Sequence, residues 1–428
     1  MTHPLAWPVI APGFLQIGDG TGEGCELSFT PNMAHVVLKP GHVRPIHAGH
    51  PWVYRQAVAE LSGALKPGAE VDVKDPQGKF LGRGFYSDSK ALAVRVCTRT
   101  DIALGSDFFV LRIRQAKALR ERLGLPSAET TGYRLVHGEA DGLPGLIVDV
   151  FGDVLGIQLN TQGMKQREGM IFGALAEVLA PRAIIDRTPP SATKFEGVEA
   201  GVGVVRGDPN VASLVFRERG FSFDLPLTLS QKTGFYFDQR PLRARAEAFA
   251  RGADVLDVFS FVGAFGLAAA RGGASRVTCV DRSASVAEAA AIVARSNGVA
   301  DRVTAVCEDA ETALAKASNS GGHDLVLCDP PKLAPARANR EAALHHYRRL
   351  AKAAALATKP GGILFFSSCS GSVSAVELQR ALALGARDAN LHATMLEQHI
   401  QGHDHPVPVA FPEGLYLKSL IVRVERIT

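Results

Sequence analysis

From about residue 222 onward, short apolar runs alternate with amphipathic stretches. DVLDVF (254–259), RVTCVD (276–281), RVTAVCED (302–309), DLVLCDPP (324–331) and GGILFFSSCS (361–370) have the length and β-branched content of buried strands. The intervening segments 264–271, 283–297, 309–317 and 339–357 carry apolar residues at helical spacing. Strands and helices in strict alternation predict an α/β fold: a parallel sheet with helices on both faces.

Upstream the pattern differs. Between Ala34 and about Arg99, HVVLKPGH, AEVDVKD, GKFLGRGFYS and ALAVRVCT alternate or run apolar. Turns fall at Lys39-Pro40-Gly41, Lys66-Pro67-Gly68 and Pro76-Gln77-Gly78. Short, closely spaced strands predict a small β-barrel. Residues 107–205 read as α+β: a helix in VLRIRQAKALRERLGL with a basic outer face, a strand–turn–strand in GLIVDVFGDVLGIQLN, a helix in GMIFGALAEVLA and a strand in AIIDRT. Residues 1–33, rich in Gly, Pro and Thr, read as a loosely ordered extension. The expected division is an extension over 1–33, a barrel over 34–103, a central α+β domain over 107–221 and the α/β domain over 222–428.

Composition fits several folded domains. The chain has 428 residues, 46% of them apolar, and a mean hydropathy of +0.07. Its net charge is only +4. The barrel segment alone holds ten Lys or Arg (Lys39, Arg44, Arg55, Lys66, Lys74, Lys79, Arg83, Lys90, Arg95, Arg99) against Glu60, Glu70, Asp72, Asp75 and Asp88. The basic balance is therefore concentrated there, as expected of a surface that meets a polyanion. The six cysteines form no C-x-x-C pair and lack histidines at zinc-finger spacing. We expect no metal site, and reduced thiols in the cytoplasm. No Lys or Arg precedes Lys39, so a secretory leader is not expected, and no run reaches the ~18–20 apolar residues of a membrane span.

Candidate chemistry gathers at the strand ends. The first strand runs into DVFSFVGAFG (257–266), where Gly263 and Gly266 let backbone approach a ligand. The G-x-G-x-x-G fingerprint of dinucleotide enzymes is missing, which argues against an NAD-dependent oxidoreductase. Asp281 ends the second strand and suits ribose hydroxyls. Asp309 ends the third and suits an adenine amine. Asp329 opens DPPK after the fourth. A single such Asp is more often a helix cap than a ligand; an ordered series on successive strands is a stronger signal. It is similar to class I S-adenosylmethionine methyltransferases, a seven-stranded Rossmann-like fold whose last strand is antiparallel. EGLYLKSLIVRVERI (413–427) suits that closing hairpin.

Cys369, in LFFSSCSGS, lies just past the fifth strand. At the head of the next helix its thiol would ionise readily. Cys279, Cys307 and Cys328 sit inside apolar strands and read as core. A thiolate at a methyltransferase site has a specific use. Added to C6 of a pyrimidine, it makes C5 nucleophilic enough to take a methyl group.

DPPK (329–332), SSCSG (367–371), GFYFDQR (234–240), HPVPVAFPEGLYLK (405–418), GHPWVYRQAV (49–58) and HGEADGLPGLIVDVFGD (137–153) together resemble the bacterial large-subunit rRNA cytosine-C5 methyltransferases of the RlmI type. The resemblance runs from about residue 34 to the C-terminal end. It implies a PUA domain before the central and catalytic domains, S-adenosyl-L-methionine as cofactor, large-subunit ribosomal RNA (naked or partly assembled) as partner, and Cys369 as nucleophile. By position it assigns Phe259, Ser260, Gly263, Asp281, Arg282, Asp309, Ala310 and Asp329 to the cofactor, with Asp238, Gln239 and Arg240 of FDQR bordering the same cleft. The related enzymes with a second Cys in D-x-P-C have Lys332 in its place here. The proton-removing base is then Asp329 or Glu413, and Glu413 equally suits a turn cap. The PUA-like module and the helix 110–123 would hold the RNA backbone. Trp52, Tyr54 and Tyr86 either stack on bases or fill the barrel. A homodimer stays open. So do uracil C5 or a guanine nitrogen as the target, and a non-catalytic RNA-binding assembly factor.

Overall fold

The computed structural model describes residues 33–427 except 230–231, 334–338 and the side chain of Phe195. It divides into two units, Met1–Met33 and Ala34–Thr428. The extension expected over 1–33 lies, Met33 apart, outside the described residues.

The first part of the larger unit comprises β1 (His35–Leu38), α1 (Val43–His47), β2 (Trp52–Tyr54), β3 (Val58–Leu61), β4 (Glu70–Lys74), β5 (Phe80–Tyr86) and β6 (Leu92–Thr98). They form one sheet in the order β2-β6-β5-β4-β1-β3. Val36, Val53, Val71, Val73, Tyr86 and Val94 meet in a single core, with Val58 and Leu61 against it. Tyr86 is thus barrel core, the commoner fate of an aromatic in a small domain.

Next come α2 (Ser106–Arg122), β7 (Gly132–His137), β8 (Leu146–Phe151), β9 (Val154–Leu159), α3 (Gln162–Lys165), α4 (Glu168–Leu179), β10 (Ala183–Asp186), α5 (Pro190–Glu196) and β11 (Gly203–Gly207). The five strands pair in the order β11-β10-β9-β8-β7, and Phe109, Ile113 and Leu175 of α2 and α4 pack on Leu135, Val148 and Ile157. The basic face expected on α2 is used in part from within, at Arg120 and Arg112, while Arg114 and Lys117 form exposed surface pairs and Arg122 is exposed. Arg120 is fully buried on Asp141, Arg112 donates to the Cys97 carbonyl, Arg114 pairs with Glu177 and Lys117 with Glu121. A hairpin, β12 (Ser213–Glu218) and β13 (Phe221–Pro226), follows. Strict alternation aims Leu214, Phe216, Phe223 and Leu225 inward, onto Phe235 and Phe237. The boundary expected at 221/222 cuts this hairpin, so the two segments are continuous through it.

The last part holds α6 (Arg240–Phe249), β14 (Asp254–Val258), α7 (Ala264–Arg271), β15 (Arg276–Asp281), α8 (Ala284–Ser296), β16 (Val303–Cys307), α9 (Ala310–Asn319), β17 (His323–Cys328), α10 (Arg340–Leu356), β18 (Thr358–Ser368), α11 (Ala375–Asp388), β19 (Leu391–His399) and β20 (Lys418–Arg426). Its sheet order is β16-β15-β14-β17-β18-β20-β19. The first five strands are parallel; β20 is antiparallel to both neighbours. Alternate residues feed two cores, Val255, Leu325 and Leu327 on one face, Leu256, Val326 and Cys328 on the other. Cys279 and Cys328 are buried as expected. Cys307 is exposed, because β16 is an edge strand. Strand order reverses between β14 and β17, which opens a crevice at their carboxyl ends.

Candidate active site

The loop from β14 to α7 is conformationally strained. Phe259 and Phe261 have φ of 60° and 49°, and Gly263 has 75°. Two bonds tie it to β15: Ser260 N donates to Val280 O at 3.0 Å and Phe261 N to Asp281 Oδ2 at 3.2 Å, while Asp281 Oδ1 accepts from Ser283 N at 3.0 Å. Asp281 therefore ties the loop to the end of β15. Gly266 lets α7 lie close on β15, since a Cβ there would sit 2.3 Å from Cys279 Sγ. Asp257, which the sequence reading passed over, is buried beneath the loop. It accepts from Gly266 N at 3.1 Å, and burial pushes its carboxyl up to about 8. Asp309 caps α9, accepting from Glu311 N at 2.9 Å and Thr312 N at 3.2 Å. Ala310 is buried behind it, and Arg282 is exposed.

Across the crevice, Asp329 follows β17. Burial and the neighbouring Asp238 carboxylate push it up to about 7, against a hydrogen bond from Gln239. Asp238 is buried. Its Oδ2 accepts from Tyr416 Oη at 2.6 Å and lies 3.5 Å from Lys232 Nζ. Burial works against its charge, but Lys232, His405 and Tyr416 hold it well below the usual carboxylate range. Asp238 Oδ1 and Gln239 Oε1 are buried with no hydrogen-bond partner among the described residues. Orphaned acceptors of this kind call for a donor-rich, cationic ligand. S-adenosylmethionine, with its ammonium, sulfonium, ribose hydroxyls and adenine amine, fits that set.

Arg240 does not join this cleft. Its guanidinium binds Asp404 Oδ2 at 2.9 Å and Gly132 O at 2.7 Å, with Glu218 at 3.3 Å, in a buried network facing the central sheet. Glu413 is likewise occupied elsewhere. It accepts from Tyr54 Oη at 2.9 Å and lies 3.4 Å from His50 Nε2, so it anchors the loop 400–417 to the barrel. Trp52 serves the same seam, donating to Glu139 at 2.9 Å and meeting the Phe411 ring at 4.5 Å.

Cys369, half-buried, leaves the end of β18. It is not at a helix head. α11 begins only at Ala375, and its first turn is closed by a capping box between Ser374 and Glu377. Burial raises the thiol; Lys232 pulls it back down, Asp329 and Asp238 push it further up, and Lys332, itself exposed, lowers it. The turn is framed from below. Ser368 Oγ donates to Tyr347 Oη at 2.8 Å, and Lys418 Nζ donates to Ser370 O at 2.8 Å and Val373 O at 2.6 Å. Burial lowers the Lys418 ammonium to about 8.

Tyr236, Tyr416, Lys232 and Lys418 were missed by sequence reasoning, although three of them lie in segments that carry the family resemblance and Lys232 lies two residues before one. Tyr236 stands edge-on to Phe261 at 5.5 Å, which joins the strained loop to the thiol side.

The sheet order, the acceptors along its carboxyl edge and the thiol at the fifth strand define a class I S-adenosylmethionine-dependent methyltransferase. A family model for S-adenosylmethionine-dependent methyltransferases matches residues 199–398, and one for PUA-like domains matches 36–99. "Ribosomal RNA large subunit methyltransferase I" of Shewanella amazonensis is 37% identical over 392 residues, covering 91% of this chain and 99% of its own. The protein of the same name from Alteromonas mediterranea is 36% identical over 394 residues, with the same coverages. The chain belongs to this methyltransferase family. Two solved structures share the fold: a methyltransferase complexed with SAH (TM-score 0.79, 20% identity) and a SAM-dependent methyltransferase from Streptococcus mutans (0.78, 19%). Each covers 91% of this chain and is itself covered completely.

Proposed function

We propose that the protein methylates C5 of a cytosine in large-subunit ribosomal RNA, in the cytoplasm, through a covalent adduct on Cys369. The observation that carries this reading is a half-buried thiol at the carboxyl edge of the sheet, just past the end of β18, with Asp329 just past the end of the neighbouring β17. Methylation of a ring nitrogen needs no such thiol.

The Cys369 thiolate forms a bond to C6, and the C5–C6 π electrons make C5 nucleophilic. When bound, the cofactor would supply an electrophilic sulfonium methyl: the C5–CH3 bond would form as the S–CH3 bond breaks, and S-adenosylhomocysteine would leave as the neutral thioether with that electron pair. Ionised Asp329 then accepts the C5 proton, the C5–C6 double bond re-forms, and the C6–S bond breaks to return the thiolate. Asp281, Asp309, Asp238 and Gln239 hold the cofactor, with the backbone of 259–263 against it. Phe259, Ser260 and Gly263 contribute through that backbone, Arg282 and Ala310 through the flanks of the strand ends.

A base in a helix is out of reach of the thiol, so the target is unpaired or flipped. Residues 34–103 act as the RNA-holding module, with Lys39, Arg44, Lys66, Lys79 and Lys90 exposed on it. Residues 107–221 act as the spacer and 222–428 as the methyltransferase module, the two being continuous through the β12–β13 hairpin.

Incubation with ribosomal RNA containing 5-fluorocytidine tests the reading, because fluorine blocks proton removal and traps the adduct. A peptide spanning Cys369 that carries RNA mass supports it; methylated RNA with no adduct sinks it. Trapping with 5-fluorouridine alone would move the target to uracil.

A further inference from the structure

Lys66 and Lys90 of the barrel do not stand on open surface. They rim a groove of about 970 Å³ between the barrel and the central part. One wall is the turn between β3 and β4, with Lys66 and Pro67, and the loop between β5 and β6, with Lys90. The other wall is α5, with Lys194, and the end of α3. Close packing fixes the two walls against each other. Gln166 Nε2 donates to Pro67 O at 2.9 Å, and Arg167 Nη1 to Gly68 O at 3.0 Å. The Arg167 guanidinium lies 4.0 Å over the Phe85 ring, and a Cβ at Gly163 would sit 2.5 Å from that ring. On the groove floor Arg95 Nη2 binds Glu196 Oε1 at 2.6 Å, which joins β6 to α5.

The charge of this groove is lopsided. Lys66, Lys90 and Lys194 are exposed on it, and none has a carboxylate within ion-pair distance among the described residues. Of its two acids, Glu196 is paired with Arg95, which leaves Asp88 alone against the three ammoniums. No aromatic ring is among its described lining side chains, so it offers nothing for a base to stack on. Cations and small polar groups without rings suit phosphates and riboses. The floor also leads toward the catalytic edge. The Arg95 guanidinium lies 5.5 Å from the Trp52 ring centroid, and Trp52 meets Phe411 in the loop that ends on Lys418, beneath the Cys369 turn.

We propose that this groove binds the sugar–phosphate backbone of the substrate RNA, with Lys66, Lys90 and Lys194 on phosphates of the strand that flanks the target base. It rests on the reading of ribosomal RNA as substrate, and it gives the central part a share in binding through Lys194. Recognition there is independent of sequence. The groove sets where the strand lies, and the base itself is read in the crevice.

The test uses the full chain and naked large-subunit ribosomal RNA, with Kd measured over a range of salt. Each phosphate contact to a single strand contributes about 0.7 to the slope of log Kd against log salt. The triple variant Lys66→Gln, Lys90→Gln, Lys194→Gln should lower that slope by about 2 and weaken binding roughly tenfold near physiological salt. The loss should appear in KM for RNA rather than in kcat. A control triple, Arg206→Gln, Lys352→Gln, Arg380→Gln, removes the same charge from exposed positions outside the groove and should change the slope by less than one contact. Ala91→p-benzoylphenylalanine, at an exposed position of the groove wall, should crosslink to the RNA on irradiation. An unmoved slope, an equal drop in the control triple, or a crosslink only to ribosomal protein on assembled particles overturns the proposal. Each of these leaves adduct formation on Cys369 intact. Failure of the unmodified protein to bind ribosomal RNA at all overturns the substrate reading, and this groove with it.

Discussion

Trp52 of the barrel and Phe411 of the loop over the active site meet edge to face, their ring centroids 4.5 Å apart. The hydroxyl of Tyr54 bonds Glu413 two residues further along that loop. The barrel is therefore fastened to a segment that ends on Lys418, below the Cys369 turn. Trp52→Ala and Phe411→Ala should show a coupling of about 1 kcal/mol in a double-mutant cycle read by urea unfolding. Additive effects would mean that the contact carries no energy.

Cys369→Ser should reduce methyl transfer by roughly 10³-fold or more, because a serine hydroxyl is a far weaker nucleophile toward C6. Cofactor binding, measured by calorimetry, should stay within about twofold, since the binding residues lie on other strand ends.

Asp329 links activity to pH. Its carboxyl, raised to about 7, must be ionised to accept the C5 proton, so turnover should rise with pH through that region. The stability effect has the opposite sense. A carboxyl raised on folding favours the fold at low pH, and the penalty for ionising it grows between the unfolded value near 4 and the folded value. Asp329→Asn should therefore melt above the wild type at pH 8, with the difference closing toward pH 4, and turn over slowly throughout. Scanning fluorimetry across pH reads the first effect, and initial rates read the second.

Gly266→Ala should cost about 1–3 kcal/mol, because the new Cβ falls 2.3 Å from Cys279 Sγ. Adding Cys279→Ala removes that atom and should recover part of the loss. A double variant no more stable than Gly266→Ala would point to another cause.

Asp404 is fully buried among Arg240, His405 and the Arg134 amide. Burial opposes its charge, but these partners hold it well below the usual carboxylate range. Its contribution is present above the unfolded value and is lost as pH falls through the folded one. Asp404→Ala should cost about 3–5 kcal/mol near neutrality, by leaving Arg240 short of a partner. The gap to wild type should narrow in acid, as denaturant titrations at several pH values would show.

The strands and helices of the sheet were legible because burial on two faces imposes continuous apolar runs, and the helices between them keep a regular spacing. Cys369 stood out as a candidate because it lies among Ser and Gly at a strand end, and the structure places it just past the end of β18. What escaped involves partners far apart in sequence. Arg120 of α2 looks like part of a basic surface until Asp141 is placed beside it. Glu413 looks like a free carboxylate until Tyr54 arrives from the barrel. The strand Leu391–His399 escaped because, as an exposed edge, it is polar enough to read as loop. The depressed thiol expected from a helix terminus failed for a local reason: Ser374 already caps that helix.

The placement of β20 has a consequence for biosynthesis. It follows β19 in sequence but lies between β18 and β19 in space. While the chain is being made, the slot beside β18 stays open until residues 418–426 have left the ribosome. Only their insertion brings the Lys418 ammonium beneath the Ser370 and Val373 carbonyls. A nascent chain thus carries the Cys369 turn without its Lys418 support until β20 is inserted.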